Sequence, residues 1–285
     1  MRWTPGGRST NLEDRRSAGP GFGFGGGGIR LGLGGIIILF ILSLIFKRDF
    51  FQLLNGTGAA PMGSATATDP ARDAREEPLV QFVSFVLDDT QNTWKQILPS
   101  STGVPYRDAK LVLFRDAVDS ACGYAQSATG PFYCPGDQKV YIDLGFYDEL
   151  KNRFGASGDF AQAYVLAHEI GHHVQNLLGI ESKVRQAQRA NPGARNELSV
   201  RLELQADCLA GVWGHSTEQR KILEAGDVQK ALNAAAAIGD DRLQRMSTGH
   251  VSPESFTHGT SEQRQEWFER GFTSGSPSAC NTFAQ

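Results

Sequence analysis

The chain has 285 residues, 40% of them hydrophobic and 21% charged, which excludes a wholly disordered polymer and a multi-span membrane protein. The net charge of -3 is unevenly spread: residues 1–48 carry seven Lys/Arg against two acids, and the remainder is acidic. An acidic main domain gives no support to nucleic-acid binding.

In chain order, residues 1–28 are polar and then Gly-rich, and read as a disordered cytoplasmic tail. Leu31–Phe46 is uncharged over 16 residues, about 24 Å as a helix. With flanks at 29–54 it reads as one transmembrane anchor, slightly short of the usual span, with Arg30, Lys47 and Arg48 able to snorkel. A buried strand or core helix is the rival reading. Arg2, Arg8, Arg15, Arg16 and Arg30 precede the stretch, so the positive-inside rule puts the N-terminus in the cytoplasm and the bulk outside. A cleaved signal peptide is a second reading, but the tail before the apolar run is long for one. Residues 55–77 lack an apolar period and read as a flexible linker; residues 78–285 form the folded domain.

Within that domain, apolar spacing predicts a helix over Leu79–Leu98 and strands at Leu111–Phe114, Phe132–Cys134 and Val140–Leu144. Phe132–Cys134 is expected to pair with Val140–Leu144 across the PGDQ turn. Helices follow at Phe146–Phe154, Phe160–Leu178 (ended by Gly179), Glu197–Trp213, Thr217–Glu224, Asp227–Ala237 and Ser261–Phe268. Thr260 and Gln263 form a capping box for the last. The fold class is α+β, mainly helical with a small sheet. Four cysteines fit an exported domain; of three possible pairings, Cys122–Cys134 and Cys208–Cys280 are favoured over free buried thiols.

The decisive segment is AHEIGHHVQ. His168 and His172 stand one helical turn apart and can hold one Zn²⁺, while Glu169 beside them can act as general base on water activated by the metal. HExxH alone arises by chance in roughly one of a hundred chains this size, so context matters. No histidine follows at metzincin spacing. In RLELQADCLAG, Glu203 and Asp207 share one face: Glu203 can be the third ligand and Asp207 can accept from the outer nitrogen of a ligand histidine, with an ordinary solvated helix face as the bland reading. The small Ala206, Ala210 and Gly211 would let this helix approach the HExxH helix. Glu197 is a weaker rival ligand, and His173 points about 100° away as a packing residue. His258 is a candidate oxyanion donor, with Arg264 six residues on. An ordinary surface loop is the bland reading of both. Phe132–Leu144 could offer a sheet edge to an extended substrate.

GPFYCPGDQKVYIDLGFYDELKNRFGASGDFAQAYVLAHEIGHHVQNLLG, ELQADCLAGVWG and SFTHGTSEQRQEWFERGF resemble the bacterial putative neutral zinc metallopeptidase family over nearly the whole chain. That resemblance implies a zincin-like peptidase domain behind one N-terminal membrane span. More distantly, Glu203-x-x-Ala206-Asp207 resembles the ExxAD element of membrane-linked gluzincins. It implies His168, His172 and Glu203 as ligands, Glu169 as base and Asp207 as orienter. Their H-P-x-x-x-x-R element corresponds to His258 and Arg264, with Gly259 where proline is usual. The expectation is a peptidase with one Zn²⁺ per chain, acting on a peptide or protein. It would be a single-pass protein of the bacterial inner membrane, with its catalytic domain periplasmic or extracellular. A zinc protein without turnover and a zinc amidase acting on a cell-wall or other non-peptide amide are the competing classes. Nothing in the sequence names a protein partner.

Overall fold

The computed structural model describes residues 1–17, 69–127 and 130–284. The element order is β1 (Leu12–Asp14), α1 (Pro70–Thr102), β2 (Lys110–Phe114), β3 (Ala117–Ser120), β4 (Gly123–Gln126), β5 (Phe132–Cys134) and β6 (Lys139–Asp143). Then come α2 (Gly145–Asn152), α3 (Asp159–Leu177), α4 (Ile180–Ala190), α5 (Arg195–Gln219), α6 (Asp227–Ala237), α7 (Asp240–Thr248) and α8 (Ser261–Ser274). The molecule is α+β and mainly helical. One sheet has the order β1-β2-β6-β5, with β1, β2 and β6 parallel and β5 antiparallel at the edge; β3 and β4 form a hairpin.

β2 and β6 are runs of apolar residues buried on both faces, as central parallel strands require. The predicted pairing of Phe132–Cys134 with the next strand is present, with Phe132 opposite Tyr141. Trp94, Leu98, Leu111, Leu113, Phe160 and Trp213 are among the fully buried side chains that join α1, the sheet, α3 and α5 in one core. α5 and α8 cross backbone to backbone. A Cβ built on Gly271 would stand 1.9 Å from the Cys208 carbonyl oxygen, so only glycine permits the crossing. Cys122–Cys134 ties the β3–β4 hairpin to β5, and Cys208–Cys280 ties α5 to the C-terminal turn.

Three boundaries differ from the sequence expectation. Residues 1–28 were expected to be disordered; residues 1–17 are instead part of the domain. Leu12–Asp14 adds a strand to β2, and the Met1 side chain lies in the core. What holds this segment is charge and backbone pairing, which an apolar period does not reveal. The linker expected over 55–77 gives way to helix from Pro70, capped by the Asp69 carboxylate on the Arg72 amide at 2.9 Å, with Pro70 at the first position. Its first two turns are anchored by ion pairs from Glu76 and Asp73 to Arg115. The domain therefore starts before residue 78. Third, no separate helix spans Thr217–Glu224: α5 runs on to Gln219, because Gly214 lies against the Phe272 ring as a packing residue and does not end the helix. The helices expected at Phe146–Phe154, Phe160–Leu178 and Asp227–Ala237 lie where expected within two residues, α8 carries the capping box, and α4 and α7 were not expected. The anchor expected at 29–54 falls outside the described residues. Among the described residues no helix is long and apolar enough to cross a membrane.

Candidate metal centre

α3 is a buried central helix, with His168 and Glu169 6% and 7% exposed. α5 lies across it. A Cβ on Gly171 would meet the Ala206 carbonyl oxygen at 3.0 Å, so the small residues of HExxH and of α5 set the spacing between the two helices. Of the small residues expected to allow this approach, Ala206 faces α3, whereas Gly211 faces α8.

The crossing brings Glu203 between the two histidines. Its Oε2 lies 3.1 Å from His168 Nε2, and its Oε1 lies 3.5 Å from His172 Nε2. The histidine rings stand at 88° to each other, and the three donor atoms fall within 4.8 Å of one another. Donors about 2.0–2.1 Å from a shared tetrahedral ion would be about 3.4 Å apart, so this His₂Glu set has the chemistry of a zinc site and stands close enough to converge on one ion. Burial opposes a charge on His168, but Asp207 and Glu203 outweigh it and raise its pKa to about 9. The field that draws a proton here also draws a cation.

Each histidine has its outer nitrogen fixed. His168 Nδ1 meets Asp207 Oδ1 at 2.8 Å, and His172 Nδ1 meets Gln175 Oε1 at 2.8 Å. With an acceptor at each Nδ1, that nitrogen carries the proton and Nε2 presents its lone pair to the site. Asp207 is fully buried and also accepts from Tyr164 and from Arg264, whose Nε and Nη2 reach it at 2.8 and 2.9 Å. Burial raises the Tyr164 hydroxyl well above its ordinary pKa, so it stays protonated and donates. Gln175 in turn donates to Leu202 O and Gln205 Oε1, and Gln205 donates to Cys280 O beside the second disulfide. The sequence reading missed Gln175, Gln205 and Tyr164. The only available signal was position: Tyr164 and Gln175 lie four before His168 and three after His172, on the same helix face.

Glu169 lines the cleft with the three donors, and burial holds its carboxyl above the ordinary range. The rival ligand Glu197 is exposed and bonds Arg201 at 2.7 Å, away from the cluster. His173 packs behind the site. Its Nε2–H donates to Arg107 O at 2.6 Å, so Nδ1 accepts from Tyr133 at 2.9 Å and fastens β5 to α3. His215 bonds Phe272 O and ties α5 to α8, remote from the donors.

His258 lines the same cleft, half-exposed. Its loop is built on Asp240, which the sequence reading did not single out. The Asp240 carboxylate accepts from the amides of Thr257 and His258, both at 2.6 Å, and from Gly259 at 3.2 Å; it also contacts His258 Nδ1 at 3.1 Å. Burial works against charge on Asp240, but His258 and these amides outweigh it and lower its pKa. Gly259 has φ +90°, which a proline locked near -65° cannot adopt. The loop therefore departs from the His-Pro pattern and takes its rigidity from Asp240. Asp240→Ala should lower turnover of a cleaved substrate by about tenfold or more while bound metal stays at the parental level. Loss of metal in that variant would show a different job for Asp240.

The cleft is open and about 510 Å³ in volume. Phe132, Phe146, Phe154, Val165, Leu243 and Met246 give it an apolar wall beside the charged donors. β5 borders it with its outer edge unpaired among the described strands.

The family described as "Putative neutral zinc metallopeptidase" matches residues 1–283. The YpfJ protein of Escherichia coli (strain K12) is 51% identical over 290 residues, covering 100% of this chain and 99% of that protein. The Rv2575 protein of Mycobacterium tuberculosis (strain ATCC 25618 / H37Rv) is 45% identical over 202 residues, covering 67% of this chain and 66% of that protein. No solved structure matches the chain.

Proposed function

The chain belongs to the putative neutral zinc metallopeptidase family, and we propose that it is a zinc-dependent endopeptidase hydrolysing extended peptide segments. The observation that carries this reading is the convergence of His168, His172 and Glu203 on one point in an open cleft, with Glu169 on the same wall. A structural zinc site closes its coordination with protein atoms and has no use for a base; this one offers three donors and an open side.

His168, His172 and Glu203 would hold one Zn²⁺. When bound, zinc supplies Lewis acidity that polarises a carbonyl and lowers the pKa of water. Glu169 takes the proton from the attacking water and delivers it to the departing amine. Its raised pKa suits both halves of that transfer, since the base must also become a competent acid. His258, aimed by Asp240, donates to the oxygen that gains negative charge. An extended substrate adds a strand to the β5 edge, and the apolar wall takes a bulky side chain. The two disulfides support an exported domain, attached to the membrane through the apolar stretch at 31–46.

The full chain in detergent should cut an unfolded protein such as casein, next to large apolar residues. A chelator should abolish the cleavage, and added zinc should restore it. Zinc binding without cleavage of casein or of a diverse peptide library would favour a zinc protein without turnover or an amidase of narrow substrate range.

A further inference from the structure

The N-terminal segment and the catalytic domain are one folded body. β1 pairs with β2 in register from Leu12 opposite Leu111 to Asp14 opposite Leu113, and Arg15 N donates to Leu113 O at 2.8 Å. Arg2 N donates to Ile222 O at 2.7 Å, and the Trp3 ring lies 5.3 Å from that of Phe82 on α1. Ser9 donates to Asp88 at 2.6 Å. Arg16, 2% exposed, is shared between Asp14 and Glu76, and Glu76 in turn pairs with Arg115, 7% exposed.

These contacts undo the charge argument for topology. The positive-inside rule counts Lys and Arg in short loops beside a span, and folded domains cross largely regardless of their charge. Here Arg8 is engaged by Asp14 and Glu77, and Arg16 by Asp14 and Glu76. Both are structural partners of α1. A single crossing between residues 17 and 69 would place β1 across the bilayer from the strand it pairs with. It would also strip buried Arg115 and partly buried Glu76 of the Arg16 side of their network, a cost that charges held away from water do not tolerate well.

We propose that residues 1–17 lie on the same side of the membrane as residues 69–284, so the chain between them crosses the bilayer an even number of times, zero included. The contact of Arg16 with Glu76 in the second turn of α1 also sets where that connecting chain leaves: both its ends emerge together at the β1 edge of the sheet. β5, which borders the cleft, is the opposite edge. The attachment to the membrane and the entrance for substrate are thus at opposite edges of one sheet. The shared side of residues 1–17 and 69–284 is independent of the catalytic reading; only the place of the substrate entrance rests on it.

All four cysteines are in disulfides, so a new cysteine is the only reactive thiol. Thr10→Cys and Gly6→Cys place one on the exposed N-terminal segment, and Glu218→Cys places one on the exposed end of α5. Each full-length variant is treated with a membrane-impermeant maleimide in spheroplasts and in inverted membrane vesicles, with detergent-opened samples as the full-labelling reference. The expected result is that all three label in the same preparation and are protected at least about tenfold in the other. Labelling of Thr10→Cys and Gly6→Cys from one side and of Glu218→Cys from the other would overturn the proposal.

Discussion

Glu169→Gln should lose cleavage by about 10²–10⁴-fold while keeping its fold and its full complement of metal. The amide has nearly the same shape as the carboxylate, and Glu169 is not one of the three donors, so neither packing nor ligation changes. What disappears is a group able to take a proton from water and return one to the amine. Burial that raises the Glu169 carboxyl would otherwise keep it poised for both transfers. Metal content, thermal midpoint and turnover measured on one preparation separate these outcomes. A variant that keeps metal and retains parental turnover would remove Glu169 from the chemistry. One that loses metal would make it part of the binding site.

The largest stability effect is expected at Arg264, a buried residue at the floor of the cleft. Arg264 is 2% exposed, and Asp207 is fully buried beneath it. Arg264→Leu would leave Asp207 with Tyr164 and His168 but without its balancing cation. Breaking a buried pair from one side costs about 3–5 kcal/mol, because the stranded charge remains in the interior. The His168 ring would also lose its firm anchor, and metal affinity should fall about 10–100-fold. Denaturant unfolding of the disulfide-intact protein and competition with a chelating dye measure the two effects. A variant within 1 kcal/mol of the parent would show that Asp207 does not depend on Arg264.

Glu169 was singled out from the sequence by its place in HExxH, and the residues around it by helical periodicity; Arg264 was singled out only by its spacing from His258. His168, His172, Glu203 and Asp207 sit at i, i+4 on helices whose apolar spacing was plain, so one face could be read before any fold was known. The central strands were legible for the same reason, as short apolar runs. Other features were set by interactions that leave no local pattern. β1 is three residues long and is joined to the domain by backbone pairing and by the Asp14–Arg16–Glu76–Arg115 network; its partners lie 60 or more positions away. α4 buries only Val184, so its apolar face was too thin to see. The β3–β4 hairpin leaves Gly123 and Tyr124 exposed and lacks a clean alternation. Asp240 lies 18 residues before His258, at the start of a short polar helix, and only the return of the chain shows that it organises the His258 loop.

Gly259 shows how a departure from a motif can be informative. Its positive φ turns the chain toward Asp240, so His258 is held by a carboxylate rather than by a rigid proline ring. The placement of both His258 and Arg264 on the cleft follows from one loop and one capped helix. α8 begins at Ser261, its first turn fixed by Thr260 and Gln263, and this sets the direction in which Arg264 enters the core.

His168, His172 and Glu203 are expected to hold one catalytic zinc. The most direct measurement is metal content per chain by mass spectrometry on the purified full-length protein, compared with His172→Ala and Glu203→Ala. One zinc per chain is expected in the parent and a loss of at least about tenfold in affinity in either variant, with the fold retained by circular dichroism. A folded parent that takes up no zinc when zinc is supplied, or variants that hold it as tightly as the parent, would contradict that expectation.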